Sequence, residues 1–125
     1  MKVLIVKPQS RPYLAEIEKG LESMQEIVGG YIEMVNLDES TTLVCNEEGK
    51  LQGLEGNRRI GRDVIAGTFF LCGFNEDGES ISLIDEQISK YYERFKESEY
   101  YTREEVEDSA FMDVHILDNE NDMEI

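Results

Sequence analysis

Asn57-Arg58-Arg59, with Arg62 three residues further on, is the only basic cluster in this chain. A guanidinium is a planar fork that grips carboxylate or phosphate at two points. Gly53, Gly56, Gly61 and Gly67 punctuate the same stretch, and glycine-rich backbone can turn its N–H groups toward an anion. The segment is therefore a candidate site for a small phosphate-bearing ligand, held by Asn57, Arg58, Arg59 and Arg62 against Tyr31 or Phe69. The competing reading is a solvated loop whose arginines pair with nearby acids. Glu33, Asn46 and Arg58 form a second candidate set, a polar lining converging on one ligand. Its alternative is loop closure, because asparagine side chains bond the local backbone and tolerate unusual torsions.

Other reactive residue types lack the company that their chemistry needs. Cys45 and Cys72 stand in apolar, strand-like runs, with neither a histidine nor a positive setting to generate a thiolate. They read as reduced, buried structural thiols suited to a reducing cytoplasm. Two cysteines without a CxxC make neither a disulfide framework nor a zinc site. His115 is the single histidine and lies among carboxylates, so it reads as a solvated side chain. Asp118-Asn119-Glu120-Asn121-Asp122 alternates oxygen ligands like the start of a calcium loop. Met123 stands where that loop requires glycine, so no metal is expected. Glu47-Glu48 and Glu33 read as turn and strand-end acids. No Walker loop, GxGxxG or GxSxG occurs, and no cofactor is expected.

The elements that would position these groups follow from periodicity. Val3–Val6 is a short apolar run suited to a strand buried on both faces. Pro12 reads as the first turn of a helix whose apolar face is Tyr13, Ile17, Leu21, Met24 and Val28, with Gly20 inside it and Gly29-Gly30 as its stop. Residues 31–35 and 41–45 read as an antiparallel hairpin. Leu51-Gln52 reads as a further short strand, and the glycine-rich stretch after it as irregular. Residues 68–72 form another apolar strand, and Asn75–Gly78 a turn. Ser82 and Asp85 match a capping box ahead of a helix bearing Ile84, Ile88, Tyr91 and Phe95 on one face. The order β-α-β-β-loop-β-α implies a compact α+β domain, with a small mixed or antiparallel sheet and two amphipathic helices.

A 125-residue chain suits one domain, and its net charge of −16 is unevenly spread. Residues 97–125 hold eleven acids and one base, a net of −10. The expected organisation is a folded unit at 1–96 and an acidic tail at 97–125, partly disordered or docked. Glu104, Glu105, Glu107, Asp108, Asp113, Asp118, Glu120 and Asp122 are its candidate partner-binding residues. Nucleic acid is not an expected partner, since four local cations do not overcome so negative a body. No run approaches a membrane span, and the N-terminus reads as a strand, too short for a signal peptide. Tyr91, Tyr92, Tyr100 and Tyr101, taken as exposed, would suit a partner or homo-oligomer interface.

Lys2–Val6, Gly29-Gly30-Tyr31-Ile32-Glu33, Cys45–Leu51, Asn57-Arg58 and Ile65–Gly73 together resemble a family. It is an uncharacterised domain-of-unknown-function family of small proteins encoded largely by phages, plasmids and mobile elements of Gram-positive bacteria. The resemblance spans residues 2–96. It implies an accessory protein acting in the bacterial cytoplasm, of the sort that blocks a host defence component or sequesters its nucleotide signal. From the charge, the leading expectation is a non-catalytic protein that binds and inhibits a basic host protein, such as a DNA-binding factor. The alternatives are the nucleotide sponge described above, an enzyme of unrecognised type, and a module assisting a mobile element's own replication or transfer.

Overall fold

The computed structural model describes residues 1–109. The acids Asp113, Asp118, Glu120 and Asp122, together with His115, lie outside the described residues. The first strand, β1 (Lys2–Val6), pairs antiparallel with β2 (Tyr13–Glu16) on one side and with β7 (Phe69–Phe74) on the other. Beyond β7 come β4 (Thr41–Asn46) and then β3 (Ile32–Asn36), which gives the order β2-β1-β7-β4-β3. The two-residue β8 (Ser80–Ile81) pairs β7 past the end of β1 and continues that line. All these pairings are antiparallel. β5 (Gly56–Ile60) and β6 (Asp63–Ala66) form a separate two-stranded hairpin.

The central strands are buried on both faces, and a helix covers each face. α1 (Leu21–Val28) sets Met24 and Val28 on Val3, Ile5, Val44, Phe70 and Cys72. α2 (Asp85–Phe95) sets Tyr91 and Phe95 on Leu4, Val6, Leu43, Phe69 and Leu71, with Phe95 edge-on to Phe69 at 5.5 Å. The chain is thus α+β, with the antiparallel sheet as its middle layer.

Three local expectations need correction. The helix expected from Pro12 to Val28 is a strand and then a shorter helix. Tyr13–Glu16 satisfies the outer edge of β1, and Gly20, at φ 126°, caps the helix from outside instead of weakening its middle. Leu51-Gln52 is a turn, and the glycine-rich stretch after it contains the β5–β6 hairpin, whose bulged register interrupts any clean alternation. Ser82 does not cap α2. Its hydroxyl accepts the Lys2 N–H at 2.9 Å, while the N–H of Ile84, at the helix start, is taken by the Gln87 side chain at 2.9 Å.

α2 is tied to the turn after β3 by the Tyr91 hydroxyl, which donates to Asp38 Oδ2 at 2.5 Å. Burial pushes the Tyr91 phenol up from 10.0 to about 12, with the Asp38 hydrogen bond and charge acting in the same direction. Burial alone would raise Asp38, but donors from Tyr91, Ser40 and Thr41 outweigh it and hold that carboxyl well below its usual 3.8. The tyrosine contribution is whole below pH 10 and is lost as pH rises from 10 toward 12. The carboxylate contribution is present above pH 3.8 and is lost as pH falls below it. Tyr91→Phe should cost about 1–2 kcal/mol near neutrality. It should also flatten the alkaline fall in stability and shrink the acid one. Urea midpoints measured across pH for both chains check this.

Candidate functional site

β5 delivers Asn57 and Arg58 into the interior, and both side chains are 0% exposed. The Arg58 guanidinium donates from Nε and Nη2 to the Phe95 carbonyl at 3.0 and 2.8 Å. Nη2 also reaches the Ser10 carbonyl at 2.6 Å, and Nη1 the Asn57 side-chain oxygen at 2.8 Å. Asn57 Nδ2 donates in turn to the carbonyls of Val6 at 2.8 Å and Gly67 at 2.9 Å. Two adjacent residues therefore fasten the end of β1, the turn after it, the β6–β7 connection and the C-terminus of α2. A cation at the last carbonyls of a helix also sits favourably in its dipole. Burial lowers the Arg58 pKa, with the Glu99 charge opposing the shift. Guanidinium nevertheless stays charged in proteins.

These contacts give Asn57 and Arg58 the internal, loop-closing role. Arg59 and Arg62 stay exposed at the hairpin end. Arg59 Nη1 bonds the Arg62 carbonyl at 3.3 Å, and its guanidinium stacks 5.3 Å over the Tyr101 ring. Phe69, one proposed platform for a ligand, is wholly buried, whereas Tyr31 is exposed. Tyr91 is also buried and Tyr92 and Tyr101 are partly so, which leaves Tyr100, at 70%, as the exposed tyrosine of that group.

Glu33 and Asn46 meet elsewhere, beside a cleft of about 230 Å³ that Cys45, Glu47, Lys50 and Asp63 also line. Arg58 does not line it, so the three residues do not converge. Asn46 is buried and committed. Its amide donates to the Val28 carbonyl at the end of α1 and to Gln52, and its oxygen accepts the Glu48 N–H at 2.8 Å. Lys50 is ion-paired with Asp63 beside the cleft. Burial, together with the charges of Glu33 and Asp63, pushes the Cys45 thiol up to about 12. Burial also raises Cys72. Both are free, buried thiols whose environments oppose thiolate formation. Among the described residues, no three or more His, Cys, Asp or Glu side chains stand together to hold a metal. No described helix is long and apolar enough to cross a membrane.

Part of the acidic segment is docked on the domain. Residues 103–109 are helical, and Thr102 and Glu105 cap that helix reciprocally. Thr102 N–H donates to Glu105 Oε1 at 2.8 Å, and Glu105 N–H donates to Thr102 Oγ1 at 3.1 Å. Val106, 4% exposed, packs on Val64 and Ala66 of β6, with Tyr101 and Leu54 beside it. Glu104, Glu105, Glu107 and Asp108 face solvent. From the sequence, Tyr101 and Val106 stand among the apolar residues able to dock the tail on the domain or on a partner; the helix itself was missed, although Thr102-Arg103-Glu104-Glu105 carries the capping-box spacing that could have located it.

Arg58→Ala should destabilise the fold by about 3 kcal/mol or more, since charge-assisted bonds are worth roughly 1.5–3 each and a void is left behind. Arg59→Ala, which removes an exposed cation–π contact and an exposed hydrogen bond to the Arg62 carbonyl, should cost about 1 kcal/mol or less. Urea unfolding of the two variants checks the contrast, and equal losses would refute the internal role of Arg58.

No curated protein and no solved structure matches the chain. Residues 1–96 match the model of a family described as a domain of unknown function, DUF3846, and over that span the chain belongs to this family.

Proposed function

We propose that this protein is a non-catalytic binding protein that engages and inhibits a basic, DNA-binding host protein in the bacterial cytoplasm, as an accessory of a phage or other mobile element. The observation that carries the reading is the acidic face of residues 103–109, where Glu104 and Asp108 stand exposed on a docked helix whose Glu105 closes the cap and whose Glu107 pairs with Arg103. Carboxylates held on an ordered helix present a defined array, much as a nucleic acid backbone presents phosphates. A net charge of −16 adds long-range steering toward positive surfaces. The buried thiols and the commitment of Asn57 and Arg58 to the interior support binding over turnover. They also leave the phosphate-ligand alternative with Arg59 and Arg62 alone.

Affinity capture from the native host at low salt, read by mass spectrometry, tests the proposal. Basic DNA-binding proteins should be retained, released as salt rises through the range where the screening length falls to about 10 Å or less, and displaced by duplex DNA. Glu104→Lys with Asp108→Lys, one helical turn apart on exposed positions, should reduce capture by about tenfold. Retention that ignores both salt and this double substitution would sink the reading.

A further inference from the structure

We infer that the outer face of the β5–β6 hairpin is a recognition surface for acidic peptide segments, and that residues 97–109 are its occupant in cis. Arg59 and Val64 face each other in the hairpin register. Each sends its N–H to a side chain of the acidic segment, Arg59 to Glu99 Oε1 at 2.9 Å and Val64 to Ser109 Oγ at 3.1 Å. The segment thus meets a backbone donor on each strand with one of its own side-chain oxygens, so the contact depends on which residues stand at those two positions.

Specificity comes from what lies between the two grips. Tyr101 lies under the Arg59 guanidinium and donates its hydroxyl to Glu99. Val106 fills the space over Gly56. A Cβ added at Gly56 would meet Val106 Cγ2 at 2.8 Å and Tyr101 Cβ at 3.0 Å, so the glycine leaves room for an incoming anchor. The ligand chemistry is therefore a carboxylate, an aromatic ring two residues later, a β-branched aliphatic five residues beyond that, and a hydroxyl three further on.

The contact is also built to be displaced. Within 103–109 only Val106 and Ser109 are buried. Those two side chains, one in an apolar contact with β6 and one accepting the Val64 N–H, are what hold the described turns on the hairpin. A cleft of about 200 Å³ opens beside the contact, lined by Lys50, Leu54, Tyr101, Arg103 and Glu107 among others. A small, incompletely packed contact belongs to the low-stability end of local opening. A segment of the same chemistry from another protein can take the vacated surface.

The test is titration of a fluorescein-labelled synthetic peptide of residues 97–109 with the full chain, followed by anisotropy. Val106→Asp, made in the full chain, releases the cis occupant. It should bind the peptide at least about tenfold more tightly than wild type, whose apparent affinity is reduced by the fraction of closed surface. Adding Arg59→Glu should abolish that gain, and a scrambled peptide of equal charge should not compete. The inference is overturned if the released chain binds no peptide, if wild type and variant bind alike, or if the scrambled peptide binds equally. If Val106→Asp does not unfold cooperatively, Thr102→Ala with Glu105→Ala releases the segment through its caps alone, and the same outcomes decide. No basic partner is present in this experiment, so its failure leaves the proposed function untouched.

Discussion

One buried guanidinium joins the β5–β6 hairpin to the turn after β1 and to the end of α2, parts of the fold that no sheet ladder connects. The four hydrogen bonds of Arg58 all end on carbonyl or carboxamide oxygens. Moving a cation out of water is costly unless its donors are met. Here they are met by backbone carbonyls at the end of α2 and in the turn after β1, and by the Asn57 side chain. Asn57 extends the fastening to Val6 and Gly67. Each side thus satisfies the other, and among the described residues no buried side-chain polar atom lacks a partner.

Wherever one rule acted alone, the sequence was a good guide to the fold. The apolar runs at Val3–Val6 and 68–72 are central strands, the 31–45 hairpin pairs antiparallel, and Tyr91 and Phe95 of α2 face the core. It misled where two rules competed. Tyr13, Ile17 and Leu21 fit a helical stripe, yet the edge of β1 needed a partner, and tertiary pairing overrode the period. The β5–β6 hairpin was illegible because its inward residues are Asn57 and Arg58. A strand that buries polar groups shows no apolar alternation. That burial also decided the candidate site: two of the residues that looked most like ligand-binding groups are internal fasteners, a role that rests on carbonyls distant in sequence.

The docked segment changes how the charge should be understood. The acidic segment lies against the chain's basic cluster without an ion pair to it: Glu99 accepts the Arg59 backbone N–H, and the Tyr101 ring lies beneath the Arg59 guanidinium. Exposed ion pairs contribute little each. The hydrophobic anchor Val106 and the caps at Thr102 and Glu105 therefore set the position, while the charges set orientation and discrimination. Glu104 and Asp108, turned outward, remain free of those duties and supply the face open to a positive surface.

Glu99 connects the surface to the interior. It takes the Arg59 N–H and the Tyr101 hydroxyl, and its charge is also the first influence opposing the burial-driven fall in the Arg58 pKa. The interior itself rests on the four bonds of Arg58 to Phe95, Ser10 and Asn57, none of which comes from the acidic segment. What the hairpin reads directly is a side-chain oxygen at the Arg59 N–H, so a replacement ligand without an acceptor there would lose that contact while leaving the Arg58 network in place.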